Sequence, residues 1–271
     1  MGVQESFIKI KGRVGDLTFF RTKDGYQVRE KKSALTGARI ASDSKFLLTR
    51  QNGAEFGRAG RYSKAMRYIF RKATNRVSDG RMASRLTTVL LQVIKTDDVN
   101  RRGERTLLAD KVTQLQGFQF NAASNFYDLC HAMCWGHIDR TAGNLQFFTE
   151  AFVPSEDLKM PEGATHFQLF AAGGLVDFEN DGRPADIPLG PGGQLPDPED
   201  IRLMSLAQTD VLPIDDVAIE PVQLNCPVLA DRSEPLFLLA GIRFFVGVNG
   251  FYDMMGDSKH HALTLISTNM L

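Results

Sequence analysis

The sequence predicts an α+β protein: a basic N-terminal β-meander with helices, residues 1–116, followed by an acidic antiparallel β-sandwich domain of immunoglobulin-like type, residues 117–271. Three observations predict it. Apolar residues alternate with a period of two over the first thirty positions, recur at helical spacing from about residue 42, and return to strand-like runs broken by turn signals after Gly117. Charge divides at nearly the same place: residues 1–120 hold 25 Lys+Arg against 11 Asp+Glu, and residues 121–271 hold 7 against 21, although the net charge is zero. With 43% hydrophobic residues over 271 positions, the chain can bury a sizeable core.

Phe7 to Val14 alternates apolar and basic residues, and Leu17–Thr22 and Tyr26–Lys31 flank the turn signal Lys23-Asp24-Gly25, which gives a three-stranded basic meander. A sheet of this size cannot bury its apolar face against itself, so it needs a partner surface. That partner is either the helical region that follows or a neighbouring subunit to which the strands add at a sheet edge. Helices begin near Ser42 or Asp43, either of which can cap a first turn. Ala65, Met66, Ile69, Phe70 and Ala73 share one helical face, with Lys64, Arg67, Arg71 and Lys72 largely turned away from it. A second helix places Met82, Leu86, Val89, Leu90, Val93 and Ile94 on its apolar side. Gly53, Gly57 and Gly60 each lower helix propensity by about 1 kcal/mol, which predicts a kink or a close backbone approach there.

In the acidic half, strands are expected at Cys134–Arg140, Asn144–Phe152, Thr165–Ala171, Leu175–Phe178, Arg202–Gln208, Val217–Leu224, Leu236–Val248 and Ala262–Ser267. Asn249-Gly250 signals a tight hairpin between the last two. Leu236–Phe245 is apolar almost throughout, as a central strand buried on both faces should be. Between Gly182 and Asp200, five prolines and four glycines predict a long surface loop.

Four stretches, KGRVGDLTFFRTKDGYQVREK, TRQNGAEFGRAG, PEGATHFQLFAAGGLVDFEND and PLFLLAGIRFFVGVNGFYD, resemble a group of uncharacterised Bacteroidota proteins. In that group a short glycine-containing hairpin precedes a T-R-Q-N helix and a C-terminal sandwich-like region. The resemblance spans most of the chain and implies a shared fold. It implies no reaction, ligand or catalytic residue.

No catalytic constellation and no Walker or dinucleotide pattern is present, so neither an enzyme nor a cofactor is predicted. Cys130, His131, Cys134 and His137 crowd into eight residues, but structural zinc draws on two separated ligand pairs; they read as small buried residues and surface imidazoles. Asp177, Glu179 and Asp181, followed by Gly182, resemble the start of a calcium loop. Pro188 at the twelfth position rules out an EF-hand and leaves these three as weak metal candidates. Glu5 and Lys9 interrupt any leader-like apolar run, and the longest apolar stretch is too short to cross a bilayer. Three cysteines are too few for a disulfide framework, and a cytoplasmic protein without a membrane span is expected, release by a leaderless route being compatible with this.

Partners are read from charge. Arg50, Arg58, Arg61, Lys64, Arg67, Arg71 and Lys72 form the expected contact surface, with Tyr62, Tyr68 and Phe70 interleaved. The preferred reading is a non-enzymatic self-assembling structural protein, a homo-oligomer or filament in which the basic half of one copy docks on the acidic half of the next. Unlike surfaces make heterologous contacts, and these give rings or open filaments. Phe19, Phe20, Phe46 and Phe56 are the apolar groups expected to add affinity. Pairing of the two halves within one chain is the rival. A nucleic-acid-binding or virion-associated protein, gripping a polyanion through the basic segment, is the alternative function.

Overall fold

Alternation near the N-terminus does produce a sheet, but a shorter and differently bounded one. The structure is a computed structural model that describes residues 2–5, 7–30 and 36–270, and it divides after Arg50 into two units. In the first, β1 (Gly2–Val3), β2 (Gly12–Val14), β3 (Leu17–Thr22) and β4 (Gly25–Glu30) form an antiparallel sheet of order β1-β4-β3-β2. The strand expected from Phe7 pairs only over Gly12–Val14. Gln4 explains why: its amide oxygen accepts the Ile10 N–H at 3.0 Å and its amide nitrogen donates to the carbonyls of Ile10 and Gln27, so the Ile10 backbone is held by a side chain and not by a neighbouring strand. Lys31, the end of the expected third strand, lies outside the described residues. A short helix, α1 (Gly37–Ser42), is capped by the Thr36 hydroxyl, and the Arg50 guanidinium donates to the carbonyls of Ile40 and Asp43 at its far end.

The boundary falls inside α2 (Leu47–Ile69), which runs without a break through Gly53, Gly57 and Gly60. The expected kink is therefore absent, and nothing stands within 4 Å of a Cβ built on any of the three. Their cost in propensity is offset by a face on which Ala59, Tyr62, Ala65, Met66 and Ile69 are buried. After α3 (Arg71–Thr74), α4 (Met82–Lys95) buries Met82, Leu86, Leu90, Val93 and Ile94, the face that helical spacing predicts.

The remaining elements are α5 (Phe126–Leu129), β5 (Cys134–Asp139), β6 (Asn144–Thr149), α6 (Pro154–Asp157), β7 (His166–Leu175), β8 (Met204–Gln208), β9 (Leu212–Pro213), β10 (Gln223–Pro227), β11 (Leu236–Val248), β12 (Phe251–Met254) and β13 (Ala262–Asn269). One antiparallel sheet has the order β12-β11-β7-β8, with β13 also on β11 and β9 also on β7; a smaller one has the order β10-β6-β5. The two sheets face each other. A Cβ on Gly136 of β5 would lie 2.8 Å from Leu238 of β11, and one on Gly173 of β7 would lie 2.7 Å from Cys226 of β10. Helices cover the other side of the large sheet, since a Cβ on Gly174 would meet Phe70 at 2.5 Å. The layers of the second unit are thus helices, large sheet and small sheet around one core.

This is the predicted α+β class with a sandwich-like packing of antiparallel sheets; the pairings do not by themselves make it immunoglobulin-like. Residues 51–116 belong with the strands, not with the meander, so the units divide at Arg50 and not at the expected 116/117. The strand expected over Thr165–Ala171 runs on as β7 through Gly173 and Gly174, whose missing side chains admit the neighbouring layers, and ends at Leu175, so the separate strand expected at Leu175–Phe178 does not form. Asn249 and Gly250 adopt φ of 52° and 80°, the turn their sequence calls for. The turn leads into β12, a strand that sequence reading missed, and β12 and β13 then pair with successive stretches of β11.

Candidate functional site

Five of the seven cations expected to form the contact surface are spent inside the units that carry them. Arg50 caps α1 as described. Arg58 donates to the carbonyls of Gly103 and Arg105. Lys64 pairs with Asp181 at 3.0 Å, Arg71 with Asp197 at 2.7 Å, and Lys72 with Asp197 at 3.3 Å and with Glu199. Arg61 and Arg67 remain exposed, with Arg67 donating to the Ser63 carbonyl. The anions come from the Pro/Gly-rich segment, which is long and largely irregular as predicted but lies strapped along α2 and α3. Two phenols fix it there: Tyr62 donates to Glu179 at 2.9 Å and accepts from the Thr106 hydroxyl at 2.7 Å, and Tyr68 donates to the Pro196 carbonyl at 2.6 Å. Burial pushes the Tyr62 phenol up to about 12, with the Thr106 bond opposing and the Glu179 carboxylate adding to the shift. The ion pairs are solvent-exposed and orient the strap more than they hold it. Five of the seven cations thus have partners within the chain, while Lys64, Arg71 and Lys72 stay exposed beside Arg61 and Arg67.

The weak metal candidates diverge. Asp177 accepts from the backbone N–H groups of Glu179 and Asn180 and from the Asn180 amide, Glu179 turns to Tyr62, and Asp181 turns to Lys64. Among the described residues no group of three or more His, Cys, Asp or Glu is placed to hold a metal ion. The Cys/His cluster separates for a geometric reason: strand alternation sends Cys134 toward the core and His137 outward. Burial pushes the Cys130 thiol up to about 12 and those of Cys134 and Cys226 to about 11, so none is poised as a nucleophile.

Sequence reading missed the buried polar groups. Glu55 accepts the Gly103 N–H at 2.8 Å, and Asp97 gathers four donors from the loop that follows it. Their signal was faint: Glu55 lies one helical turn before Ala59 on the apolar face, and Asp97 precedes Asn100 at turn spacing. His261, also buried, accepts the Phe244 N–H on Nδ1 at 3.2 Å and meets the Met255 carbonyl with Nε2 at 2.8 Å, so the ring is neutral and protonated on Nε2. Burial lowers its pKa from the ordinary 6.5, with the Met255 bond opposing. The unfolded chain then binds the proton first, so stability is full above 6.5 and declines as pH falls below it. Urea midpoints across that interval should show the decline, and His261→Gln should flatten it.

The first unit presents a different surface. No described residue from 2 to 50 is buried. Pairing of Phe19 with Val28 and of Leu17 with Val14 puts these four on one face of the sheet. Arg21 stands over the Tyr26 ring and Arg29 over the Phe20 ring, each at 5.4 Å. Among the described residues no helix is long and apolar enough to cross a membrane. No family model, curated protein or solved structure matches the chain.

Proposed function

We propose that this chain is a non-enzymatic, self-assembling structural protein in which the N-terminal unit of one copy docks on the acidic unit of the next. The observation that carries this reading is the unit without a core. Six of the apolar side chains in its sheet and first loop are exposed, from 42% at Leu17 to 94% at Phe7 with Val3, Ile8, Ile10 and Val14 between them, and Phe19, Phe20, Tyr26 and Val28 are only half-buried. A sheet that fully buries no side chain gains its stability when another surface covers it. Residues 1–50 carry 11 Lys+Arg against 5 Asp+Glu, which steers them toward an acidic partner, and residues 121–271 supply one with 21 Asp+Glu against 7 Lys+Arg. Short edges favour docking through the face: β1 has two residues and β2 three, too few for extensive strand addition. The contact surface in this proposal is the meander, with Arg61 and Arg67 the exposed members of the helical set that stand outside the ion pairs to the strap.

Light scattering with negative-stain imaging should find particles of several subunits at low salt, shrinking as ionic strength rises toward about 0.5 M. Val14→Glu with Leu17→Glu, both at exposed positions, should give monomers with an unchanged melting temperature. A monodisperse monomer at every salt and protein concentration would sink the proposal.

The Arg21–Tyr26 pair, on the same face of the sheet as Phe19 and Val28, favours a second reading, in which that face grips a polyanion such as single-stranded nucleic acid through ring and cation together. Retarded migration of a random single strand by the full chain, lost steeply with salt, would support it over assembly.

A further inference from the structure

The outer face of the β10-β6-β5 sheet carries an arrangement that core packing does not require. Alternation along β5 turns Trp135, His137 and Asp139 outward, and along β6 it turns out Asn144, Gln146 and Phe148. The strand register lines these up as cross-strand rows: Trp135 beside Phe148 beside Gln223, then His137 beside Gln146 beside Asn225. In the first row the rings of Trp135 and Phe148 are stacked, with centroids 5.5 Å apart and planes 15° apart. Trp135 is nonetheless 45% exposed.

The amides beside these rings are held in place. Gln146 and Gln223 both donate to the Asn225 side-chain oxygen, at 2.8 and 3.1 Å, so one oxygen fixes two glutamines. Each glutamine then keeps a carbonyl oxygen, and Asn225 an NH2 group, for a further partner. The sheet beneath is stiff. Gly136, Leu145 and Cys226 are in close contact with the large sheet, and there is no space for even a Cβ at Gly136 or at Gly173 opposite.

Three features define what would complement this face: an exposed aromatic ring, neutral donors and acceptors at fixed positions beside it, and neither lysine nor arginine in either row. A nucleic acid would require cations for its phosphates. An apolar protein surface would cover the ring but leave the ordered amides without partners, each at a cost. A pyranose satisfies both parts, because its axial C–H groups form an apolar face and its equatorial hydroxyls donate and accept around the rim.

We propose that this face binds a neutral glycan, with a sugar ring stacked on Trp135 and its hydroxyls held by Gln146, Gln223, Asn225 and His137. Adjacent strands lie about 4.8 Å apart, so three strands offer a footprint roughly 10 Å across, which suits a short run of linked sugars. The inference is independent of the assembly reading and uses the other unit of the chain.

Trp135 is the single tryptophan of the sequence, so its emission reports on this site alone. The full chain is titrated with hydroxyethylcellulose, xylan, laminarin, galactomannan and pullulan while emission is followed, and is run in native gels containing each polymer. At least one polymer should shift the emission saturably and retard migration. Trp135→Ala should abolish the retardation. Asn225→Ala, which keeps the fluorescent reporter, should weaken binding roughly tenfold, as loss of the shared amide anchor implies. Unchanged melting curves for both variants would show that the fold is kept. Emission indifferent to every polymer, or retardation surviving in Trp135→Ala, would overturn the proposal. So would emission that becomes shielded from acrylamide as the protein alone is concentrated, because a second copy would then occupy the face.

Discussion

Replacing Asp97 with alanine is expected to destabilise the protein by about 3 kcal/mol or more, because one truncation leaves four donors unpaired. The side chain is 3% exposed. It accepts from the backbone N–H groups of Val99, Asn100 and Thr106, each at 2.9 Å, and from the Asn100 amide at 2.8 Å. The loop organised in this way also supplies the carbonyls that Arg58 uses, the Gly103 N–H that Glu55 accepts, and the Thr106 hydroxyl against Tyr62. Loss of Asp97 should therefore loosen α2 along with the loop, visible as faster amide exchange at Val99, Asn100 and Thr106 and a lower urea midpoint. A loss below about 0.5 kcal/mol would refute this account of the carboxylate.

The same group makes an acid-range prediction. Burial alone would raise the Asp97 pKa, but the Asn100, Thr106 and Val99 bonds outweigh it and hold the value at about 2, against an ordinary 3.8. A depressed folded-state pKa contributes stability that is complete above 3.8 and is lost as pH falls toward 2, amounting to about 2 kcal/mol. Asp97→Asn should be less stable at neutral pH and should lose less on acidification.

Gly241→Val is expected to be still more damaging, by about 4 kcal/mol, with a marked fall in soluble yield. Gly241 sits in the middle of β11, directly opposite Phe170 of β7. A Cβ there would lie 2.3 Å from Cζ and 2.4 Å from Cε1 of the Phe170 ring, and 2.8 Å from the Ala262 carbonyl oxygen of β13. The ring uses the space a side chain would fill, the familiar pairing of a strand glycine with a cross-strand aromatic. It has little freedom to yield, being fully buried with the Arg243 guanidinium 3.9 Å from its centroid. Phe170→Ala in the Gly241→Val background should recover part of the loss, a coupling that thermal melts of the two single variants and the double variant would measure. Equal melting temperatures for Gly241→Val and the parent would show that the layers have slack the geometry denies.

Much of the architecture was legible because its signals are local. The face of α4, the apolar run of β11, the Asn249-Gly250 turn and the irregular strap after Gly182 all follow from spacing or composition over a few residues. The errors share a cause as well. Three glycines in α2 and two in β7 read as interruptions by propensity, yet α2 persists because its opposite face is buried, and β7 continues because Gly173 and Gly174 make room for Cys226 and Phe70. For the candidate surfaces, the charge split was visible but its use was not. That Lys64, Arg71 and Lys72 meet Asp181, Asp197 and Glu199 depends on a contact between segments more than a hundred residues apart.

By itself, then, the order of residues determined the kinds of element, their buried faces and the polarity of charge along the chain, because backbone preference and hydrophobic periodicity act over one or two turns of structure. Tertiary packing alone decided which charges neutralise one another, which carboxylates are buried, and that Trp135 shares an outward face with ordered amides while the first fifty residues bury no described side chain. Those outcomes depend on which surfaces exclude water when distant segments meet, and no local pattern encodes that.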